Sequence, residues 1–255
     1  MTIEVSVIAD SVNPDGERIT TIQARYPRFI HAQVLTHRVF SRNAQSSRAM
    51  PINRMIEEIK NDPVIPVHWG KNQKGMQANE EVHNSWVAKL FWDKAMSEML
   101  FAAKRLNELG LHKQVANRLL EPFSHISVII TATDWENFFE LRCHDDAQPE
   151  IQELALTIRG GLNNSVPQKK GWNEWHVPYE GLGETDEEKV MSSVAACARV
   201  SYNNHDGSER SLSKDKSLHD MLLSSGHLSP FEHQAYASKG RHDNLRGWFS
   251  NRRSK

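Results

Sequence analysis

Apolar and polar residues alternate over residues 2–9, with Ile3, Val5 and Val7 on one side. That period of two predicts a half-buried strand. Asn13-Pro14-Asp15-Gly16 follows as a turn signal, and Arg18–Arg25 returns as a second strand, so the chain opens on a hairpin. Pro27 suits the first turn of a helix running to about Arg38. Ser41–Pro51 is small and polar and reads as an ordered loop. Asn53–Lys60 is a short helix, and Asn61–Asn79, with two prolines and two glycines, is a long loop. Helical spacing fills Asn79–Leu109 and stops at Gly110; a second helix covers His112–Leu120 and stops before Pro122.

The β-branched Ser127–Ile130 predicts a core strand. Trp135–Cys143 and Glu150–Leu162 predict helices. Gly160–Gly183, rich in Gly, Pro, Asn and Trp, is the best candidate for a linker. Glu187–Tyr202 is helical, Asn203–Ser213 a polar loop, Lys214–Ser224 a helix ending at Gly226, and Glu232–Ser238 a strand. The class is α+β and helix-rich, with a small, mostly antiparallel sheet.

Composition narrows the function. The 255 residues carry 31 Lys+Arg against 32 Asp+Glu, so no global field draws in nucleic acid or membrane. A phosphate-bearing ligand then needs a local basic site. No apolar run reaches bilayer length and residues 1–9 lack a signal-peptide pattern, so a cytoplasmic protein is expected. Cys143 and Cys197 form no disulfide framework, and His205 and His219 fit no zinc spacing. Cys143, beside Arg142, is either an activated thiol or, the favoured reading, a structural one.

The densest polar stretch is Thr36–Arg48, which holds Arg38, Arg42, Arg48, His37, Asn43, Ser41, Ser46 and Ser47. Forked guanidinium groups with hydroxyls and backbone amides can cradle a phosphate; a solvated basic loop has the same composition. The pattern Thr36-His37-Arg38, seven residues, then Ser46 resembles the Arg-His-Arg signature of the flavin-dependent thymidylate synthases. Gln33, Asn43 and Arg48 also match.

Three further blocks are similar to the same family. Glu108–Leu111 followed by Gln114–Pro122 resembles the helix pair that delivers a substrate-binding arginine, here Arg118. Asn137–Arg142, with Ala147-Gln148 and Glu150-Ile151, resembles the segment of the pyrimidine-binding arginine, here Arg142. Ala195–Tyr202 with Gly226–His233 resembles the flavin-binding region. In the ordinary family order that region precedes the Arg-His-Arg segment. Here it follows, which reads as a circular permutation of one domain over 1–255, with nucleotide-binding segments in 27–152 and a flavin-binding segment in 187–240. Arg246–Arg252 faintly resembles the usual continuation into the signature.

The resemblance implies FAD as cofactor, with NADPH and methylenetetrahydrofolate as co-substrates, and methylation of dUMP to dTMP. Arg142 and Ser46 would be catalytic. Gln33, Gln45, Ser46, Ser47, Arg48, Arg118 and Arg142 would bind the nucleotide. His37, Arg38, Asn43, Asn137, His227, Ser229 and Glu232 would bind the flavin. A homotetramer with shared active sites is implied, with no membrane and no nucleic-acid partner.

There are departures. Thr36 replaces the first signature arginine, Ala44 a usual glutamate and Ala49 a usual tyrosine, and Thr131–Asp134 is shorter than the family version. They keep open a related C5 pyrimidine modification such as hydroxymethylation. The basic tail Arg241–Lys255 keeps open a noncatalytic nucleotide- or nucleic-acid-binding protein on the same scaffold. Other readings also stay paired: Arg118 as a solvated arginine, His227 as a helix cap, Glu232 and His233 as a surface pair, Arg142 as a partner of Glu140 or Asp145, and Trp69–Gln77 as a lid or a surface loop.

Overall fold

A computed structural model describes residues 1–200 and 210–255. The predicted hairpin forms as β1 (Glu4–Val12) and β2 (Arg18–Pro27), antiparallel. Its turn closes through Gly16 N–H to the Asn13 carbonyl at 3.0 Å, with Gly16 at φ 82°, a conformation that costs a glycine little. β4 (His125–Ala132) pairs with β2 on its other side, and β3 (Ser41–Ala44) pairs with β4 at the edge. A two-residue strand, β5 (Gln168–Lys169), adds in parallel to β1, giving the order β3-β4-β2-β1-β5.

Because side chains alternate across a strand, the β2–β4 pair has two distinct faces. Ile22, Ala24 and Tyr26 lie opposite Ile130, Val128 and Ile126 and form one apolar face. Helix α5 (Glu136–Arg142) brings Phe138 to it, and α6 (Pro149–Asn164) brings Ile151, Leu154, Ala155, Ile158 and Leu162. Those α6 positions recur at helical spacing, which is why one stripe of that helix is buried. Pro149 stands in its first turn, where a missing N–H costs nothing.

The other face carries Ile19, Thr21, Gln23 and Arg25, and the C-terminal part of the chain covers it. Helix α7 (Asp186–Arg199) starts at a capping box between Thr185 and Glu188 and buries Val190 and Ser192–Ala198. Its small side chains let it pack closely. Helix α8 (Leu212–Ser224) is tied to it through fully buried Asp215, which takes Arg199 at 2.5 Å, Arg210 at 3.2 Å and the Ser192 hydroxyl at 2.5 Å. A second sheet, β6 (Trp175–His176), β7 (Ala235–His242) and β8 (Leu245–Ser250), packs Ala235, Ala237, Leu245 and Trp248 on Ile19. Gly247 has φ 75° and a Cβ there would lie 2.5 Å from Asn13 Nδ2, so a side chain is barred. Its carbonyl accepts from that same amide at 2.9 Å.

α1 (His31–Leu35), after a 3-10 turn at Arg28–Ile30, adds Val34 to the main core, as the turn adds Ile30. α2 (Ile52–Asn61), α3 (Ser85–Glu108), α4 (Lys113–Ala116) and a 3-10 stretch at Asn117–Phe123 share a separate small core with Met50.

Several expectations change. Ser41–Ala44 is a strand and not a loop, because β4, far along the chain, supplies the pairing that its polar residues do not signal. The first helix ends at Leu35, three residues before Arg38. The long helix begins at Ser85 and not Asn79, and Pro122 lies inside the 3-10 stretch. Gly160–Gly183 is no free linker: it holds the end of α6 and the short strands β5 and β6, which join it to both sheets. Residues 241–255 are not a loose tail; Trp248 is fully buried and donates to the Glu17 carbonyl at 3.0 Å. The expectations on Ser201, Tyr202 and His205 lie outside the described residues.

A buried polar chain fastens the two sheets together. His233 Nδ1 meets Thr131 Oγ1 at 2.8 Å, Thr131 meets Thr21 at 2.7 Å, and Thr21 meets His176 Nε2 at 2.8 Å. His176 Nδ1 reaches Ser11 Oγ at 2.9 Å. Burial pushes both histidines down to about 3. The unfolded chain therefore binds protons below pH 6.5 that the fold refuses until about pH 3. Stability is full above that window and falls as pH drops through it, by about 1.4 kcal/mol per unit for each histidine. Urea unfolding between pH 7.5 and 5 is expected to show this loss, and His176→Gln to lessen the slope. A flat profile contradicts it.

Candidate functional site

The signature residues follow the short α1. Thr36 and His37 are held in a turn, with the His37 N–H bonded to the Val34 carbonyl at 3.2 Å. His37 is buried edge-on against Phe138 of α5, ring centroids 4.9 Å apart. That contact brings the end of α5 alongside. Arg142 Nε donates to His37 Nε2 at 3.0 Å, and its Nη2 donates to Thr36 Oγ1 at 3.2 Å. Thr36 passes its own proton to the Gln33 carbonyl at 2.6 Å. Burial, then Arg142, then Arg42 push His37 down to about 4, so its ring is neutral and can accept. Arg142 pairs with neither Glu140 nor Asp145; that alternative is removed.

The Gln33 side chain points the other way. Its Nε2 donates to Gln148 Oε1 at 2.6 Å, and Gln148 Nε2 donates to Glu150 Oε2 at 2.9 Å. Buried Glu150 uses its other oxygen to accept from the Val67 N–H at 3.0 Å. Val67 leads into the 69–77 stretch, which folds back through the Gly70–Glu81 bridge and leaves Met76 fully exposed.

A second cluster gathers on Glu121. Its Oε1 accepts from Ser47 Oγ at 2.6 Å and from Arg118 at 2.8 Å, with Arg28 at 4.0 Å. Asn117 anchors the 47–50 backbone by donating to the carbonyls of Ser47 and Met50. Arg118 is therefore neither merely solvated nor free. Arg48 is exposed, and Ser46, half-buried, opens the turn after β3, its carbonyl accepting from the Ala49 N–H at 3.1 Å. Gln45 lines a cleft of about 550 Å³ with Arg25, Tyr179 and Arg199, a cleft that Ser46 does not line.

Between the clusters run Arg28, Tyr26, His31 and Arg42. Tyr26 OH meets His31 Nδ1 at 2.9 Å, and burial followed by Arg28 and Arg42 pushes His31 down to about 4. Burial raises Tyr26 and lowers Arg28 and Arg42 from their ordinary values. Arg42 was legible from sequence as a member of the polar stretch; Arg28, Tyr26 and His31 were not singled out. The available signal was their spacing around Gln33 and the signature.

The C-terminal segment reaches the same place. Asn43 Nδ2 donates to the Cys197 carbonyl at 2.8 Å, and Ser229 Oγ donates to Asn43 Oδ1 at 3.3 Å. Residues expected to share a flavin site do meet, although Asn43's amide is spent in holding the segment. Glu232 lies within the field of Arg42 and pairs with Arg252. His233 is fully buried, so the two are no surface pair. The His227 N–H bonds to the Leu222 carbonyl at 2.9 Å and closes α8, while its side chain stays exposed. The backbone thus caps the helix and leaves the ring available. Asn137 is exposed in the first turn of α5; Arg38 is exposed beside Arg42. Cys143 packs against the main core and burial raises its thiol, the opposite of activation.

Charge pairing separates this region from the rest. Among the described residues, only Arg38, Arg42, Arg48, Arg142 and Arg159 lack a carboxylate within ion-pair distance. Four of these five belong to the signature stretch and the end of α5. Arg38, Arg42 and Arg142 gather around His37, and uncompensated guanidinium groups in one place suit a phosphate-bearing ligand. Arg42 lies beside Arg38 and next to Glu232 of the Ser229–Glu232 segment. By contrast, Arg241, Arg246, Arg252 and Arg253 are all paired with carboxylates, which weakens the nucleic-acid reading of the C-terminus.

Several known proteins resemble this chain. A flavin-dependent thymidylate synthase from Thermosipho africanus is 27% identical over 156 residues, 58% of this chain and 65% of that protein. One from Pyrococcus abyssi is 27% identical over 125 residues, 48% of this chain and 45% of that protein. The chain thus spans less than two thirds of the length of the curated relatives it matches. The solved structure of a UMP/dUMP methylase, PolB from Streptomyces cacaoi, bound with 5-Br dUMP, superposes with a TM-score of 0.53 at 15% identity, over 63% of this chain and 90% of that one. It shares the fold. No described helix is long and apolar enough to cross a membrane. Residues 19–168 match the family described as thymidylate synthase complementing protein, more than half of the chain, and the protein belongs to that family.

Proposed function

We propose that the protein is an FAD-dependent enzyme that methylates dUMP at C5 to give dTMP, using methylenetetrahydrofolate and NADPH. The observation that carries this reading is the gathering of Arg38, Arg42 and Arg142, none of them paired with a carboxylate, on a family scaffold. FAD, when bound, supplies the hydride that reduces the transferred carbon. The protein's own groups hold and polarise. Arg48 and Ser46, with Arg118 and Ser47 braced on Glu121, take the phosphate. Arg38, Arg42, Ser229 and exposed His227 and Asn137 face the flavin side. Arg142, fixed by two neutral acceptors, keeps its remaining N–H groups for a pyrimidine carbonyl and stabilises negative charge developing there. Hydroxymethylation at C5 is the second reading, favoured by Thr36 and Ala44 in place of larger charged groups.

The purified protein is expected to be yellow and to release FAD on denaturation. Incubation with dUMP and both co-substrates is expected to give a product with the mass of dTMP. A product heavier by one oxygen selects the second reading; protein that takes up no flavin rejects both.

Arg142→Ala is expected to keep FAD and fold but to lower turnover. A lost charged hydrogen bond of about 1.5–3 kcal/mol corresponds to roughly ten- to a hundredfold. Lysine is expected to rescue poorly, since it lacks the planar fork. Near-normal turnover in folded Arg142→Ala removes its assignment.

Exposed Leu35 and Leu141 flank Thr36 and Arg142, and exposed Leu111 and Val115 precede Arg118. Apolar side chains bordering the arginines support a homotetramer in which a second copy covers the site. Light scattering is expected to report an oligomer; a stable, active monomer contradicts it.

A further inference from the structure

Helix α3 is apolar on two sides. Its inward side, which includes Trp92, Met96, Leu100 and Ala103, closes the small core around Met50. Its outward side carries Trp86, Leu90, Phe91 and Phe101, which are 69, 58, 66 and 64% exposed. At 3.6 residues per turn, Trp86, Leu90, Lys94, Ser97 and Phe101 run as one stripe along that side. A helix that is apolar all round belongs in an interior. The small core is closed without the outward residues, so their partner lies outside the single chain.

The charges on this side are self-complementary. A second copy of α3 laid antiparallel on the first, with a two-fold axis at the level of Ala95 and Met96, sets Leu90 against Phe101 of the other copy. A two-fold axis also brings like flanks together. On one flank Lys94 then meets Glu98 of the other copy; on the opposite flank Trp86 meets Lys104, a cation over a ring. Every contact occurs twice. Parallel pairing instead sets Lys94 against Lys94 and Glu98 against Glu98. Three aromatic rings and a leucine so exposed offer roughly 400–500 Å² per copy, and a pair reaches ~1,000 Å², where specific interfaces begin.

We propose that α3 pairs antiparallel with α3 of a second copy of this chain, at an interface separate from the one that covers the arginines. This rests on the homotetramer reading above and names a contact for it. Closing four copies with two-fold symmetry takes two different self-complementary contacts. The border at Leu35 and Leu141 supplies one, and α3 supplies the other.

Cysteines at Leu90 and Phe101 test the register in the full chain with FAD bound. Along one helix the two positions stand about 16 Å apart, beyond the roughly 7 Å that a disulfide spans, so a disulfide between them joins two chains. After diamide oxidation, Leu90→Cys combined with Phe101→Cys is expected to run as a covalent dimer without reductant. Each single variant, its thiols about 16 Å apart across the axis, is expected to run as a monomer, as is wild type with Cys143 and Cys197. In light scattering Phe101→Glu is expected to halve the mass while keeping flavin content and circular dichroism, because the ring is mostly exposed in its own chain. The cysteine pair carries the test if that variant does not fold. No covalent dimer from the double variant, equal dimer from a single one, or an unchanged mass in folded Phe101→Glu overturns the α3 pairing; an oligomeric wild type then leaves the homotetramer reading standing. A monomeric wild type overturns both.

Discussion

The structure depends on the need to cover both faces of the β2–β4 pair. Ile22, Ala24 and Tyr26 on one face require α5 and α6, and that packing sets the end of α5, and Arg142 with it, beside His37. Thr21, Gln23 and Thr131 on the other face cannot be buried without partners. The partners come from the C-terminal part: His176, His233 and Tyr179, whose OH donates to Gln23 at 2.5 Å. A polar sheet face thus selects one seating for α7, β6 and β7. That seating brings Ser229 to Asn43, so sheet packing joins segments that the chain order separates.

This bears on the permutation proposed for the motif order. The family match ends at residue 168, before the 187–240 segment, and the fold carries that segment back onto β3. Spatial adjacency, not sequence order, is what a shared site needs. Permuted order is tolerated when the connections run over the surface and the contacts survive. Here the crossing segment also contributes strands to both sheets, so it is held in place by backbone pairing.

The sequence revealed what local pattern determines. The hairpin, α2, α6, α8 and the core strand β4 follow from periodicity, turn residues and caps, and the Thr36–Arg48 cluster stood out by composition alone. What depends on distant partners was hidden. Ser41–Ala44 is a strand because β4 pairs with it, and Trp248 is buried because Ile19 and Asn13 receive its strand. In the site, the arginines were legible but their partners were not. Glu121 sat in a quoted motif without a role, and its convergence with Ser47 and Arg118 needs the 3-10 stretch to fold against residues 47–50. Asn43 matched the family as a cofactor contact, while its amide proved to be committed to Cys197 and Ser229.

Thr36 illustrates how a departure can be absorbed. Read from sequence, it removes a cation from the signature. In the fold its hydroxyl lies 3.2 Å from Arg142 Nη2, where a second guanidinium would meet the first at close range. A hydroxyl accepts from Arg142 and donates onward to Gln33, so it supports the arginine instead of repelling it. His37 completes the support as a neutral acceptor, since burial, and after it the nearby Arg142 and Arg42, keep a proton off its ring. A carboxylate in either place would hold the guanidinium more tightly but would cancel its charge. Neutral acceptors orient Arg142 and leave its positive field directed outward, which is the condition for a fixed cation to act on a ligand that enters later.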